Sequence, residues 1–161
     1  MKKILAIAIA VLFSVASYAQ DGRKIYNRYS DMDGVSAVYV SSAMFRLVGK
    51  LPEMSVGEAG SVDFSKIVNS LNGLYLLNTE SPSVSADLKR DVEKFVKNGT
   101  YEMLMEVKDD GETVRIYITG TGDEVTGFVL LALSGHECTF ICIDGKMSRT
   151  QVEETLAAVL S

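Results

Sequence analysis

Tyr101-Glu-Met-Leu-Met-Glu-Val-Lys-Asp-Asp-Gly-Glu-Thr-Val-Arg-Ile-Tyr-Ile-Thr119 is the stretch whose reading decides the fold. Asp110-Gly111 sits at its centre, and Asp-Gly supplies the two positive φ angles of a type I′ two-residue hairpin. Counting outward from that turn, Val107 faces Val114, Met105 faces Ile116 and Met103 faces Ile118, one apolar face. The opposite face pairs Lys108 with Thr113, Glu106 with Arg115, Leu104 with Tyr117 and Glu102 with Thr119. An opposite-charge pair directly across the ladder favours this register. A slip of one residue would exchange both faces.

A second hairpin follows. Gly135-His136 places Gly at the first central position of a type II′ turn. Leu133 then faces Cys138, Leu131 faces Phe140 and Val129 faces Cys142, while Ala132 pairs with Thr139, Leu130 with Ile141 and Phe128 with Ile143. Both faces are apolar, as in strands covered on both sides.

The loop from Thr119 to Val125 decides which faces of the two hairpins join. Thr119 facing Thr126 pairs polar with polar. It sets Ile116 against Val129 and puts both cysteines on the face of Met103, Met105, Ile116 and Ile118. The other face then gathers Leu104, Tyr117, Phe128, Leu130, Ile141 and Ile143, a candidate interaction face for a partner or a second copy. A patch of this kind is unusual on a monomer. The opposite parity would replace its later members with Val129, Leu131, Leu133, Phe140 and the cysteines. Helices between Met44 and Leu71 folding over the face would instead make it core.

The remaining elements read outward from these hairpins. Gly22 to Tyr29 suggests a short helix, and Val35 to Val40 a strand by its β-branched and aromatic content. Ser41 or Ser42 caps a helix with Met44, Leu47, Val48 and Leu51 at helical spacing. Pro52 to Ser61 reads as a loop. Asp63 heads a helix through Phe64, Ile67, Val68 and Leu71, stopped by Asn72-Gly73. Leu74 to Leu77 is a short strand. Ser81-Pro82 opens a helix with the stripe Leu88, Val92, Phe95 and Val96, ended by Asn98-Gly99. Ser148 and Gln151 form a capping box for a closing helix that carries Val152, Leu156, Val159 and Leu160. The expected fold is α+β: two layers, a mixed or mainly antiparallel sheet of about six strands with helices packed on it, in one domain over residues 20–161.

Residues 1–19 are expected to lie outside that domain. Lys2-Lys3, the apolar run Ile4 to Phe13 and Ser17-Tyr18-Ala19 have the order of a secretory signal peptide, too short to span a membrane. Cleavage is expected between Ala19 and Gln20. No Cys follows the apolar run closely, so neither an acylation site nor a stable membrane anchor is expected. Loss of Lys2 and Lys3 moves the formal charge from −5 to −7, which disfavours nucleic acid as a partner.

Chemistry is sparse. Cys138 and Cys142 stand four apart in a strand-like run, about 13 Å between Cα atoms, whereas a disulfide needs under about 7 Å. They are expected to be reduced, buried hydrophobes. The single His, His136, lies at a turn, so neither a zinc site nor a catalytic triad is indicated. Asp31-Met-Asp33-Gly34 fails as a calcium loop, because Tyr29 and Val40 would fall at ligand positions. Gly120-Thr-Gly122 joins two strands and so does not open a phosphate-binding helix. Asp109, Asp110 and Glu112 are a solvated hairpin tip. No catalytic, cofactor-binding or metal-binding residue is assigned.

Three blocks carry a family resemblance: Ile25-Tyr-Asn-Arg-Tyr-Ser-Asp-Met-Asp-Gly-Val-Ser-Ala-Val-Tyr-Val-Ser41, Tyr101-Glu-Met-Leu-Met-Glu-Val-Lys-Asp-Asp-Gly-Glu112, and Phe128-Val-Leu-Leu131 with Cys142-Ile-Asp-Gly145. They resemble the exported Bacteroidetes family called domain of unknown function 4252, over nearly all of the chain after residue 19. The resemblance implies an exported envelope protein without an assigned activity, encoded near sigma-factor regulators and so linked to envelope signalling. It supplies no catalytic residue. The leading expectation is a periplasmic or secreted, non-enzymatic binding or protein-interaction module, with an envelope protein or a second copy as partner. A hydrolase and a structural homodimer are the alternatives.

Overall fold

A computed structural model of the chain describes residues 21–48, 54–55, 61–62 and 70–160. Helix α1 (Asp21–Tyr29) leads into strand β1 (Val35–Ser41) and helix α2 (Ser42–Val48). Strands β2 (Met54–Ser55) and β3 (Ser61–Val62) pair with each other as a separate ribbon. Strand β4 (Leu71–Thr79) and helix α3 (Pro82–Asn98) follow. Then come β5 (Glu102–Asp109), β6 (Glu112–Thr121), β7 (Glu124–Ser134), β8 (Glu137–Ser148) and the closing helix α4 (Arg149–Leu160). The main sheet has six strands in the order β1-β4-β8-β7-β6-β5, every pair antiparallel. This is the α+β class expected from the sequence. Residues 1–19 and the positions Phe64, Ile67 and Val68 lie outside the described residues.

Local chemistry explains most of the element ends. Asp110 and Gly111 both take positive φ, 43° and 83°, at the β5–β6 turn, and Gly135 takes 55° at the β7–β8 turn. At the head of α2, Ser41 Oγ accepts the Met44 N–H at 3.3 Å. At the head of α4 the capping box closes: the Ser148 N–H donates to Gln151 Oε1 at 3.0 Å, and the Gln151 N–H to Ser148 Oγ at 3.1 Å. Pro82 starts α3 and Gly99 ends it, its N–H returning to the Phe95 carbonyl.

Register shifts that local pairing does not anticipate occur in four of the strand pairs; in the β7–β8 pair, Val125 faces Met147 but Gly127 faces Asp144. In β5, Leu104 is the extra residue, so Met103 faces Tyr117 and not Ile118. In β7, Thr126 is the extra residue: Gly120 faces Val125, but Thr119 faces Gly127 and not Thr126. In β4, Asn72 lies between Leu71, which faces Gly145, and Gly73, which faces Asp144. Each bulge hands the rest of its strand to the opposite face. Two helix readings also change. Leu71 begins β4 and does not end a helix. In α2 the buried side chain is Phe45, while Met44 and Leu47 face outward.

Helices lie against both faces of the sheet. One face is covered by α1 and α3, where Ile25, Tyr29, Leu88, Val92 and Val96 pack on Tyr75, Leu77, Tyr117, Val129, Leu131, Phe140 and both cysteines. On the other face, Phe45 of α2 and Val152 of α4 join Leu71, Leu74, Ile116, Ile118, Phe128, Leu130, Ile141 and Ile143. Apolar burial on both faces is what drives a sheet of such unbroken apolar strands to fold. Strands β1 and β5 remain the free edges.

Candidate functional site

The six residues of the expected interaction face do not share a surface. The Thr126 bulge sends Tyr117 to the α1/α3 face, against Val129. Phe128, Leu130, Ile141 and Ile143 lie on the other face, buried with Ile116, Phe45 and Val152. Leu104 sits at its bulge on the outer strand, partly exposed. The chain's own residues thus cover the centre of that face. Exposed apolar side chains lie instead on both edge strands, Val38 and Tyr39 on β1 and Met103, Leu104 and Val107 on β5, and on Met44 and Leu47 of α2.

On β5, Met103, Leu104 and Val107 are 48%, 37% and 44% exposed. Beside Met103 a groove of about 420 Å³ separates α3 from the outer strands, lined by Glu93, Val96, Lys97, Tyr101, Met103, Glu106, Arg115 and Tyr117. Its wall is an ion-pair hub. Arg115 donates through Nε to Glu106 Oε2 at 2.7 Å and through Nη1 to Glu93 Oε1 at 2.8 Å. The Arg115 hydrogen bond, followed by that from Lys108, holds the Glu106 carboxyl below its usual range. The Glu106–Arg115 pair is the one expected from the hairpin register.

A second cluster gathers around Asp144. Its neighbours across the ladder are glycines on both sides, Gly73 of β4 and Gly127 of β7. A Cβ at Gly73 would stand 3.2 Å from the Tyr75 hydroxyl, and one at Gly127 would stand 3.1 Å from the Tyr101 hydroxyl. The two absent side chains thus leave room for two phenol groups beside one carboxylate. Cys142, the preceding residue on the same face, points its thiol at Asp144 Oδ1 over 3.9 Å. Burial raises the Asp144 carboxyl from 3.8 to about 6, with the thiol opposing slightly. Burial, followed by the Asp144 charge, raises the Tyr75 phenol. Sequence reading passed over Asp144. The available signal was a lone carboxylate ending the apolar run Phe140-Ile-Cys-Ile143, but its glycine neighbours come from other strands.

The remaining motifs stay apart. Asp31 and Asp33 are exposed in the turn before β1, and Asp109 and Asp110 at the β5–β6 tip. His136 is exposed at the β7–β8 turn, at the opposite end of β8 from Asp144. Cys138 and Cys142 are free and buried. Burial pushes the Cys138 thiol up to about 12 and the Cys142 thiol well above its ordinary value. Among the described residues no group of three His, Cys, Asp or Glu side chains could hold a metal ion. Among the same residues no helix is long and apolar enough to cross a membrane.

Comparison with known proteins finds no match among curated proteins or solved structures. A family model described as "Domain of unknown function (DUF4252)" matches residues 29–155, from the end of α1 into α4, and so spans the whole sheet. The chain belongs to the DUF4252 family.

Proposed function

We propose that the protein is exported and acts as a non-enzymatic binding module, receiving an extended segment of an envelope partner along β5. The observation that supports this most is the exposed apolar run Met103, Leu104 and Val107 on a free edge strand. An edge strand offers unpaired backbone donors and acceptors, and added strands are recognised by side-chain pockets beside them. The groove over Met103 and Tyr101 is such a pocket, and its Glu93, Lys97, Glu106 and Arg115 provide a polar rim. A docking edge of this kind fits the envelope-signalling setting that the family resemblance implies.

Site-specific photo-crosslinking in intact envelope tests the docking edge. A crosslinking residue at Val107 should yield a discrete adduct, and one at the exposed Arg90 of α3 should not. An adduct of two copies of this chain would assign the edge to a homodimer. Adducts at Arg90 but none at Val107 would overturn the proposal. Export is tested separately, by the intact mass of the chain in the periplasmic fraction. Retention of residues 1–19 there would refute it.

A further inference from the structure

We propose that β1 is the seam of a two-fold homodimer, in which the strand pairs antiparallel with the same strand of a second copy and joins two six-stranded sheets edge to edge. The inference is independent of the export reading and of docking at β5. β1 is a terminal strand of the main sheet, and Val38 and Tyr39 at its centre are 47% and 44% exposed. Edge strands are ordinarily guarded against pairing with another chain by charged side chains, proline or a bulge. Val35-Ser-Ala-Val-Tyr-Val-Ser41 contains no charge and no proline, and its register with β4 runs from Val35 to Ser41 without a shift. Such an edge is ready to accept another strand. Met44 and Leu47, 50% and 83% exposed, continue the apolar surface onto α2, which follows β1 directly.

The strand is self-complementary about its middle. Val38 is the central residue of Val35–Ser41, so a two-fold axis there sets it against the partner's Val38. Tyr39 then faces the partner's Ala37, Val40 the partner's Ser36 and Ser41 the partner's Val35, large against small in each pair. The pairing also keeps the two faces of the sheet continuous. Val35 and Ala37 pack on the α1/α3 side and Val40 on the other. Tyr39 is held ready for the contact: its ring stacks on Tyr75 at 5.2 Å, meets Tyr26 at 6.2 Å and lies 5.9 Å from the Arg23 guanidinium. An anchor fixed before association loses little side-chain entropy on binding. Charge selects the occupant. Asp31 and Asp33 are exposed before the strand, and Arg46 is exposed on α2 after it. Antiparallel pairing about Val38 puts Asp33 opposite the partner's Ala43, about one helical turn before the partner's Arg46. Both ends of the seam therefore match acid with base, whereas parallel pairing would set like charges together.

Sedimentation velocity of the purified protein over a dilution series tests this. The wild type should sediment at twice the chain mass and dissociate on dilution. Val38→Lys places two ammonium groups directly opposite each other and should raise the dissociation constant by about a hundredfold or more. Asp33→Arg and Arg46→Asp should each weaken the dimer, and the two together should restore it. If Val38→Lys does not fold, Val38→Cys decides the register. Facing itself across the axis, the new thiol should give a covalent dimer when diamide removes one hydrogen from each of the two thiols, whereas Ser36→Cys, which faces Val40, should not. A wild-type chain that is monomeric at every concentration would overturn the proposal. So would a dimer that Val38→Lys leaves intact and Val107→Lys dissociates, which would place the seam at β5. A monomer whose β1 photo-crosslinks to a different protein in intact envelope would assign the edge to a foreign partner and overturn it equally.

Discussion

Cys142 Sγ occupies the place that a side chain at Gly22 would need: a Cβ there would lie 2.5 Å from the sulfur and 3.3 Å from Cys142 Cβ. Helix propensity alone says that Gly22→Ala should stabilise α1 by roughly 0.5–1 kcal/mol. Contact with a fully buried thiol reverses the sign, because overpacking costs about 1–3 kcal/mol. Gly22→Ala should therefore lower the denaturation midpoint, and adding Cys142→Ala should recover part of the loss. Urea titration of the two variants measures both effects. A stabilised single variant would refute the close packing.

Asp144 should make stability depend on pH. Its carboxyl is raised from 3.8 to about 6, so between those values the folded state binds the proton that the unfolded state has released. Stability then falls as pH rises from about 3 to 7, by about 3 kcal/mol in all. Asp144→Asn should remove that slope and make the chain more stable at pH 8. Denaturation midpoints across this pH range check it.

The two sheet surfaces should respond very differently to truncation. Ile141 and Leu131 are core residues on opposite faces, so Ile141→Ala and Leu131→Ala should each cost about 2–5 kcal/mol. Val107 is 44% exposed on the edge, and Val107→Ala should stay within about 0.5 kcal/mol. Replacing Phe128 and Ile141 together with Ser should abolish the cooperative thermal transition. A folded double variant would show that the face is not core.

Both thiols should be inert in the folded chain and reactive in denaturant without reductant. Cys138 and Cys142 are free and buried, and burial suppresses the thiolate of each. Mass spectrometry after alkylation should find no label in native buffer and two labels in denaturant. Absence of label in denaturant alone would indicate a disulfide, and then the strand assignment of β8 would fail.

What the amino-acid sequence determined by itself was local. Asp110-Gly111 and Gly135-His136 set two hairpins, because their backbone preferences act over two residues. Ser148 and Gln151 set the start of α4, because a capping box closes within one turn. Glu106 and Arg115 were legible as partners because a hairpin register can be counted from its turn. Only the tertiary structure decided where that count breaks. From Gly120 to Glu124 the pairing follows the turn, and the extra Thr126 then shifts it by one residue. Such a bulge is favoured by packing both faces of the sheet at once, a sum over contacts with α1, α3, Phe45 and Val152 that no local window contains. The same applies to α2, where Phe45 turned inward in place of Met44 and Leu47, and to Asp144. That carboxylate acquired its setting from Gly73, Gly127, Tyr75 and Tyr101, which come from other parts of the chain and meet only when the sheet assembles.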